Sequence, residues 1–180
     1  MRGANVTPGY YKRPDLTAAA FDEEGFYRIG DAVKFADPAD PVKGIVFDGR
    51  VAEDFKLSTG TWVHVGALRM KLIAAGDPLI QDAVITGHNR NEIGALVFLS
   101  PAAKALGLEV LNKKLEKILE NHRGEPSSTR IARLMVMSEP PSIDANEITD
   151  KGYMNQRAVL ERRAALVEKL YSAREKVTTS

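Results

Sequence analysis

Apolar and polar residues change rhythm along the chain near residue 50. Before it, short stretches at 27–35 and 44–48 suit strands, and one short helical piece falls at 16–21. Proline (Pro8, Pro14, Pro38, Pro41) and glycine (Gly3, Gly9, Gly25, Gly30, Gly44, Gly49) punctuate the rest of this segment. A segment with so little helix to cover its strands reads as the edge of a larger structure. After residue 50 the pattern is a compact mixture. Leu57 and residues 61–65, joined across Ser58-Thr59-Gly60, predict a tight hairpin. Residues 67–75 predict a helix stopped by Gly76, which can take a left-handed cap. Strands are predicted at 82–86 and 93–99, flanking the polar turn Gly87-His88-Asn89-Arg90-Asn91. Leu108, Leu111, Leu115, Ile118 and Leu119 recur at helical spacing, with Gly124 beyond the end. A strand at 131–137 leads into a proline- and acid-rich loop at 138–155. One last helix then carries Val159, Leu160, Leu166, Val167, Leu170 and Tyr171 on a single stripe. Interleaved strands and helices with a hairpin predict an α+β fold, a small sheet with flanking helices.

Composition narrows the function classes. The 180 residues are 44% hydrophobic and 27% charged, which supports a real core. The formal net charge is +1, so nothing points to a nucleic-acid surface or an anionic-membrane binder. With no cysteine, a disulfide scaffold, a thiolate metal site and a cysteine nucleophile are excluded. No apolar run has the length of a signal peptide or a membrane span, and a cytoplasmic setting is the simplest expectation. The three histidines, His64, His88 and His122, lack metal-ligand spacing and are expected at the surface or in turns, with no metal site. Neither a G-x-x-x-x-G-K-S/T phosphate loop nor a G-x-S-x-G elbow occurs.

Two strings stand out: Gly25-Phe26-Tyr27-Arg28-Ile29-Gly30-Asp31, and the run from Asp48-Gly49-Arg50-Val51 to Leu57-Ser58-Thr59-Gly60. Either alone is an ordinary turn or a solvated loop. In this order and spacing they resemble the carboxyl-terminal signatures of the adenylate-forming superfamily, the acyl- and aryl-CoA synthetases. Residues 5–11, 14–21 and 24–28 resemble that superfamily's approach to its Tyr-Arg-x-Gly-Asp motif. Residues 54–63 are similar to the branch holding long-chain acyl-CoA synthetases, carboxylic acid reductases and feruloyl-CoA synthetases. Residues 36–41 and 147–157 resemble the feruloyl-CoA synthetase group in particular.

The resemblance implies an ATP-dependent ligase that activates an aromatic carboxylic acid as acyl-AMP and passes it to CoA, with Mg²⁺ escorting the phosphates but no Mg²⁺ ligand in this chain. It implies that residues 1–50 are the β-rich end of a large AMP-binding domain and residues 51–180 a mobile small domain. Asp31 and Arg50 match the family's ribose ligands. A carboxylate can accept from two hydroxyls, and a guanidinium offers a fixed fork of donors. Lys151 matches the lysine that bridges the substrate carboxylate and the α-phosphate, in the context Asp150-Lys151-Gly152 rather than the usual Gly-Lys. As an alternative it is an exposed loop lysine beside Asp144, Glu147 and Asp150. Lys56 and Gly60 belong to the hairpin that faces the thiol step, and Lys56 reads equally well as a structural strand lysine. The hinge position falls at Ala52, with Glu53 as a neighbour able to share the role. The phosphate loop, adenine pocket and acyl pocket lie upstream in the family. The chain therefore reads as lacking the large amino-terminal domain and as inactive alone. Two alternatives stay open: a stand-alone, non-catalytic binding module, or a fragment of a carboxylic acid reductase.

Overall fold

A computed structural model describes residues 1–180. The chain divides into two compact units, Met1–Ala52 and Glu53–Ser180.

In the first unit, Pro14 opens helix α1 (Pro14–Ala20), where its fixed φ suits the first helical position. Strands β1 (Asp31–Phe35) and β2 (Ile45–Arg50) then pair antiparallel, with Asp31 opposite Arg50 and Phe35 opposite Ile45. The first strand is shorter than residues 27–35 predict, because Gly30 takes a positive φ of 78° and breaks the extended run just before Asp31. The second runs on to Arg50 and so puts that arginine in a ladder rather than in a loop. No apolar side chain of this unit is buried; Val33, Phe35, Ile45 and Phe47 of the hairpin are all exposed.

The second unit is a four-stranded sheet in the order β5 (Ile80–Thr86), β6 (Ile93–Leu99), β7 (Ile131–Val136), β8 (Val177–Thr179). The first pair is antiparallel and the other two are parallel. Strand β6 is buried along almost its whole length, which is why it reads as a near-continuous apolar run. Helices cover both faces. On one, Ala83, Ile85, Ala95, Val97, Leu134 and Val136 pack with α2 (Val65–Ala75), α4 (Leu108–Asn121) and the hairpin β3 (Phe55–Lys56)–β4 (Trp62–Val63). On the other, Val84, Leu96, Phe98 and Met135 meet Val159 of α5 (Gln156–Arg162) and Leu170 of α6 (Ala164–Ser172). An irregularity between Ile80 and Asp82 shifts the alternation, so Ile80 shares a face with Ala83 and Ile85. This small α+β domain, a sheet with flanking helices, is the predicted fold class.

Several details differ from the pattern-based expectation. The last amphipathic stripe is two helices, not one, because Arg163 leaves helical geometry (φ −102°, ψ 25°) between α5 and α6. Gly76 ends α2 in the right-handed region (φ −92°), not the left-handed one. Its missing side chain serves close packing instead, since a Cβ there would lie 2.5 Å from Ile80 Cδ1. The terminal Val177–Thr179 stretch is the edge strand β8, and a short α3 (Pro101–Lys104), capped by the Ser100 hydroxyl, also lies outside the expected elements. His122, expected at the surface or in a turn, lies in the turn after α4 but is buried, with Nδ1 3.1 Å from Glu125 Oε1.

Candidate functional site

Asp31 and Arg50 are brought together by the β1–β2 register. As cross-strand partners, they bring Arg50 Nε within 3.8 Å of Asp31 Oδ1. That oxygen is buried and has no hydrogen-bond partner in the protein. The exposed edge of this half-buried carboxylate can accept from outside donors, and the exposed guanidinium beside it can meet an anion. Ala52 and Glu53 follow directly, in a 3-10 turn over Val51–Glu53 that contains the boundary between the two units.

The β3–β4 hairpin holds Lys56 and Gly60 in the second unit. Gly60 takes a φ of +82° and donates to the Leu57 carbonyl at 2.9 Å, closing the turn. Phe55, Leu57 and Val63 point inward while Lys56 and Trp62 face solvent, as strand alternation requires. Lys56 Nζ sits 4.9 Å from the centre of the Trp62 ring, a cation–π contact. Backbone bonds from Asn89 to Lys56 and from Ser58 to Arg90 brace the hairpin on the β5–β6 turn. The Ser58 hydroxyl adds a 2.6 Å bond to Asn91 Oδ1. Asp54 caps the next helix from outside it, accepting from Val65 N at 2.9 Å and pairing with His64 Nδ1 at 2.8 Å.

Lys151 lies at the tip of a tight turn closed by the Ile148–Met154 bridge. Thr149 N donates to Tyr153 O, and Gly152 N to Thr149 O, both at 2.9 Å; Gly152 takes the φ of +80° that the turn needs. The lysine is exposed and makes no ion pair, so it is neither packed nor neutralised by Asp144, Glu147 or Asp150. Gly152 and Ile148 line a cavity of about 290 Å³ with Gln81, Phe98, Leu99 and Met137. Those last residues mark the end of the sheet where β5 starts and β6 finishes. The hairpin with Lys56 is braced at the other end, where β5 finishes and β6 starts. The sheet therefore holds the two lysine-bearing elements at opposite ends.

Glu147 and Arg163 form a buried ion pair near the base of the Lys151 turn, and the exposed Arg162 adds a second guanidinium from the solvent side. No local motif pointed to it, because its members meet only in the folded chain. Tyr171 is a second such group. Its hydroxyl accepts from Gly94 N at 3.0 Å, donates to Glu92 O at 3.2 Å, and burial pushes it up to about 12. No cluster of three or more His, Asp or Glu side chains is placed to hold a metal ion.

This two-sided α+β domain is the small carboxyl-terminal domain of adenylate-forming enzymes. Residues 55–175, more than half of the chain, match the family described as "AMP-binding enzyme C-terminal domain", and the chain belongs to that family. A carboxylic acid reductase of Segniliparus rugosus is 29% identical over 179 residues, covering 96% of this chain and 14% of the reductase. A chloroplastic long-chain-fatty-acid–acyl-carrier-protein ligase of Arabidopsis thaliana is 24% identical over 182 residues, 96% of this chain and 25% of the ligase. The chain thus spans a quarter or less of these relatives. The structure of the A-PCP didomain of the Segniliparus rugosus carboxylic acid reductase in complex with AMP superposes with a TM-score of 0.71. It has 30% identity and covers 95% of this chain and 24% of that one.

Proposed function

We propose that this chain is the carboxyl-terminal part of an ATP-dependent enzyme that activates a carboxylic acid as acyl-AMP and then passes the acyl group to a thiol. The observation that carries the proposal is the Asp31–Arg50 pair, a half-buried carboxylate beside an exposed guanidinium across a two-stranded ribbon, in a chain of the AMP-binding family. In this reading Asp31 accepts hydrogen bonds from the ribose hydroxyls and Arg50 stands beside the same ribose. The substrate carboxylate attacks the α-phosphorus, a new P–O bond forms, and the bond to pyrophosphate breaks. Two anions must meet in that step, and the unpaired ammonium of Lys151 between them stabilises the charge that builds up in the transition state. The thiolate then attacks the acyl carbon and AMP leaves. The placement of Lys56 and Lys151 at opposite ends of one sheet supports a domain that offers a different end to each half-reaction, with the Val51–Glu53 turn as the joint. Mg²⁺ would travel with the ATP phosphates; these residues provide no cradle for it.

For the finer assignment, the feruloyl-type strings at 36–41 and 147–157 support an aromatic acid as substrate and CoA as the thiol. The likeness to carboxylic acid reductases over nearly the whole chain favours a second reading, in which the thiol belongs to a carrier domain and the acid is reduced. The full-length protein given ferulate, ATP and CoA separates them: feruloyl-CoA supports the first, and an aldehyde formed with a nicotinamide reductant supports the second.

The test of the shared chemistry is Lys151→Ala in the full-length protein. Pyrophosphate release should fall by roughly 10²–10³-fold, as for the loss of one transition-state contact. Thiolysis of pre-formed acyl-AMP should be nearly unchanged. Equal losses in both half-reactions would make Lys151 a structural residue. The 180-residue chain alone should release no pyrophosphate above background, and release there would overturn the assignment.

A further inference from the structure

Residues 138–155 form a long loop with little regular structure of its own, yet its tip holds a single tight turn. Glu147, four positions before Lys151, has a side chain with no solvent exposure. Its carboxylate accepts four hydrogen bonds. Arg163 Nε lies at 2.7 Å and Arg163 Nη2, Arg162 Nη1 and Ser142 N each at 2.8 Å. The Arg163 guanidinium also donates to the carbonyls of Glu139 at 3.1 Å and Pro140 at 2.9 Å, and stacks 5.4 Å from the Phe98 ring centre. One arginine therefore grips the loop where it leaves the sheet and again at the base of the Lys151 turn. The Glu147 backbone closes the same ring, donating to Ser142 O at 2.9 Å and accepting from Asn155 N at 2.8 Å.

Met154 ties one end of the turn to the core cluster of Val84, Leu96, Phe98 and Met135. Ile148, Gly152 and Met154 also line the cavity of about 290 Å³, so part of the turn's inner side is not filled by side chains. A buried ion pair contributes little net stability compared with well-packed apolar groups, and is more valuable for selecting one geometry. The Glu147 carboxylate is fully buried and engaged by these four donors, and the exposed Lys151 ammonium forms no ion pair with it.

We propose that Glu147 and Arg163 are positioning residues for Lys151: their buried clamp fixes the base of the turn while leaving the amine unpaired for the reacting anions. The inference rests on Lys151 acting in adenylation.

Two variants of the 180-residue chain test the clamp: Arg163→Lys, which keeps the charge and loses the fork, and Glu147→Leu with Arg163→Met, which removes both buried charges together. Hydrogen exchange should quicken at least tenfold across 142–155 in both, with helix α4 unchanged. Unchanged loop exchange overturns the clamp. In the full-length protein the double variant should lower kcat for adenylation by about 10–100-fold, as a misplacement on the order of 1 Å does. KM for ATP and the thiol step should hold. Added to Lys151→Ala, the same double variant should cost almost nothing more; a further full loss would show that it acts elsewhere. If Lys151→Ala itself leaves adenylation intact, the functional reading falls, and loop exchange still decides whether the clamp holds the turn.

Discussion

Asp31 and Lys151 sit in contrasting surroundings. Asp31 has a buried oxygen that no protein donor reaches, whereas Lys151 stands in solvent at the tip of a turn. Glu147 is the opposite case, a carboxylate saturated by its neighbours. Hydrogen bonds from Arg163, opposed by burial and aided by Ser142 N, hold it at about 2, well below its ordinary value near 4.5. A carboxylate depressed in the folded state stabilises the fold above its unfolded value, and that contribution is lost as pH falls through the folded one. The chain should therefore lose stability between about pH 4.5 and 2. Glu147→Gln should flatten this part of the profile and lower stability at pH 7 by roughly 3–5 kcal/mol, because Arg163 is left buried and uncompensated. Urea unfolding from about pH 2 to pH 7 measures both. The Asp31 and Arg50 strings were legible in the linear sequence because contiguous residues carry the resemblance to the adenylate-forming superfamily. The Glu147–Arg163 pair was not, since it spans 16 residues of irregular loop and helix with no periodic signature.

At the scale of elements, hydrophobic rhythm located most strands and helices of the second unit to within a few residues. It failed where a tertiary contact overrode local preference. The stripe from Val159 to Tyr171 is continuous in sequence but broken in space, because Arg163 turns inward to Glu147 and leaves helical geometry at that point. Strand β8 is too short to announce itself and exists through its pairing with β7. The same dependence appears at the edge strand β5, where buried Gln156 Oε1 accepts from Ile85 N at 3.0 Å and fills the place of a missing neighbouring strand. Gln156→Leu should leave that amide unsatisfied and cost about 1–3 kcal/mol. Thermal unfolding reads the loss, and faster exchange at Ile85 locates it.

At the scale of the whole chain, the two units differ in how they are held. Every buried apolar residue belongs to Glu53–Ser180, in two clusters on either face of one sheet, and none to Met1–Ala52. Residues 53–180 expressed alone should unfold in a single cooperative transition, with stability in the ordinary range of about 5–15 kcal/mol. In the full chain, residues 1–52 should exchange amide hydrogens close to the unprotected rate while helix α4 is slow. Equal protection in both units would show that the first has stability of its own. The exposed Val33, Phe35, Ile45 and Phe47 make that outcome unexpected. No helix is long and apolar enough to cross a membrane.

The sequence by itself determined the α+β class, the succession of elements after residue 50 and the strings that point to adenylate chemistry. The class and the elements follow from side-chain periodicity and turn geometry, which act between residues close together in the chain; the strings follow from a resemblance that contiguous residues carry. Tertiary structure alone decided that His122 is buried, that Gly76 serves packing against Ile80, and that the two lysine-bearing elements lie at opposite ends of one sheet. It alone brought Glu147 under Arg163. Those outcomes depend on which distant surfaces exclude water together, and a buried charge finds its partner only once that space has closed.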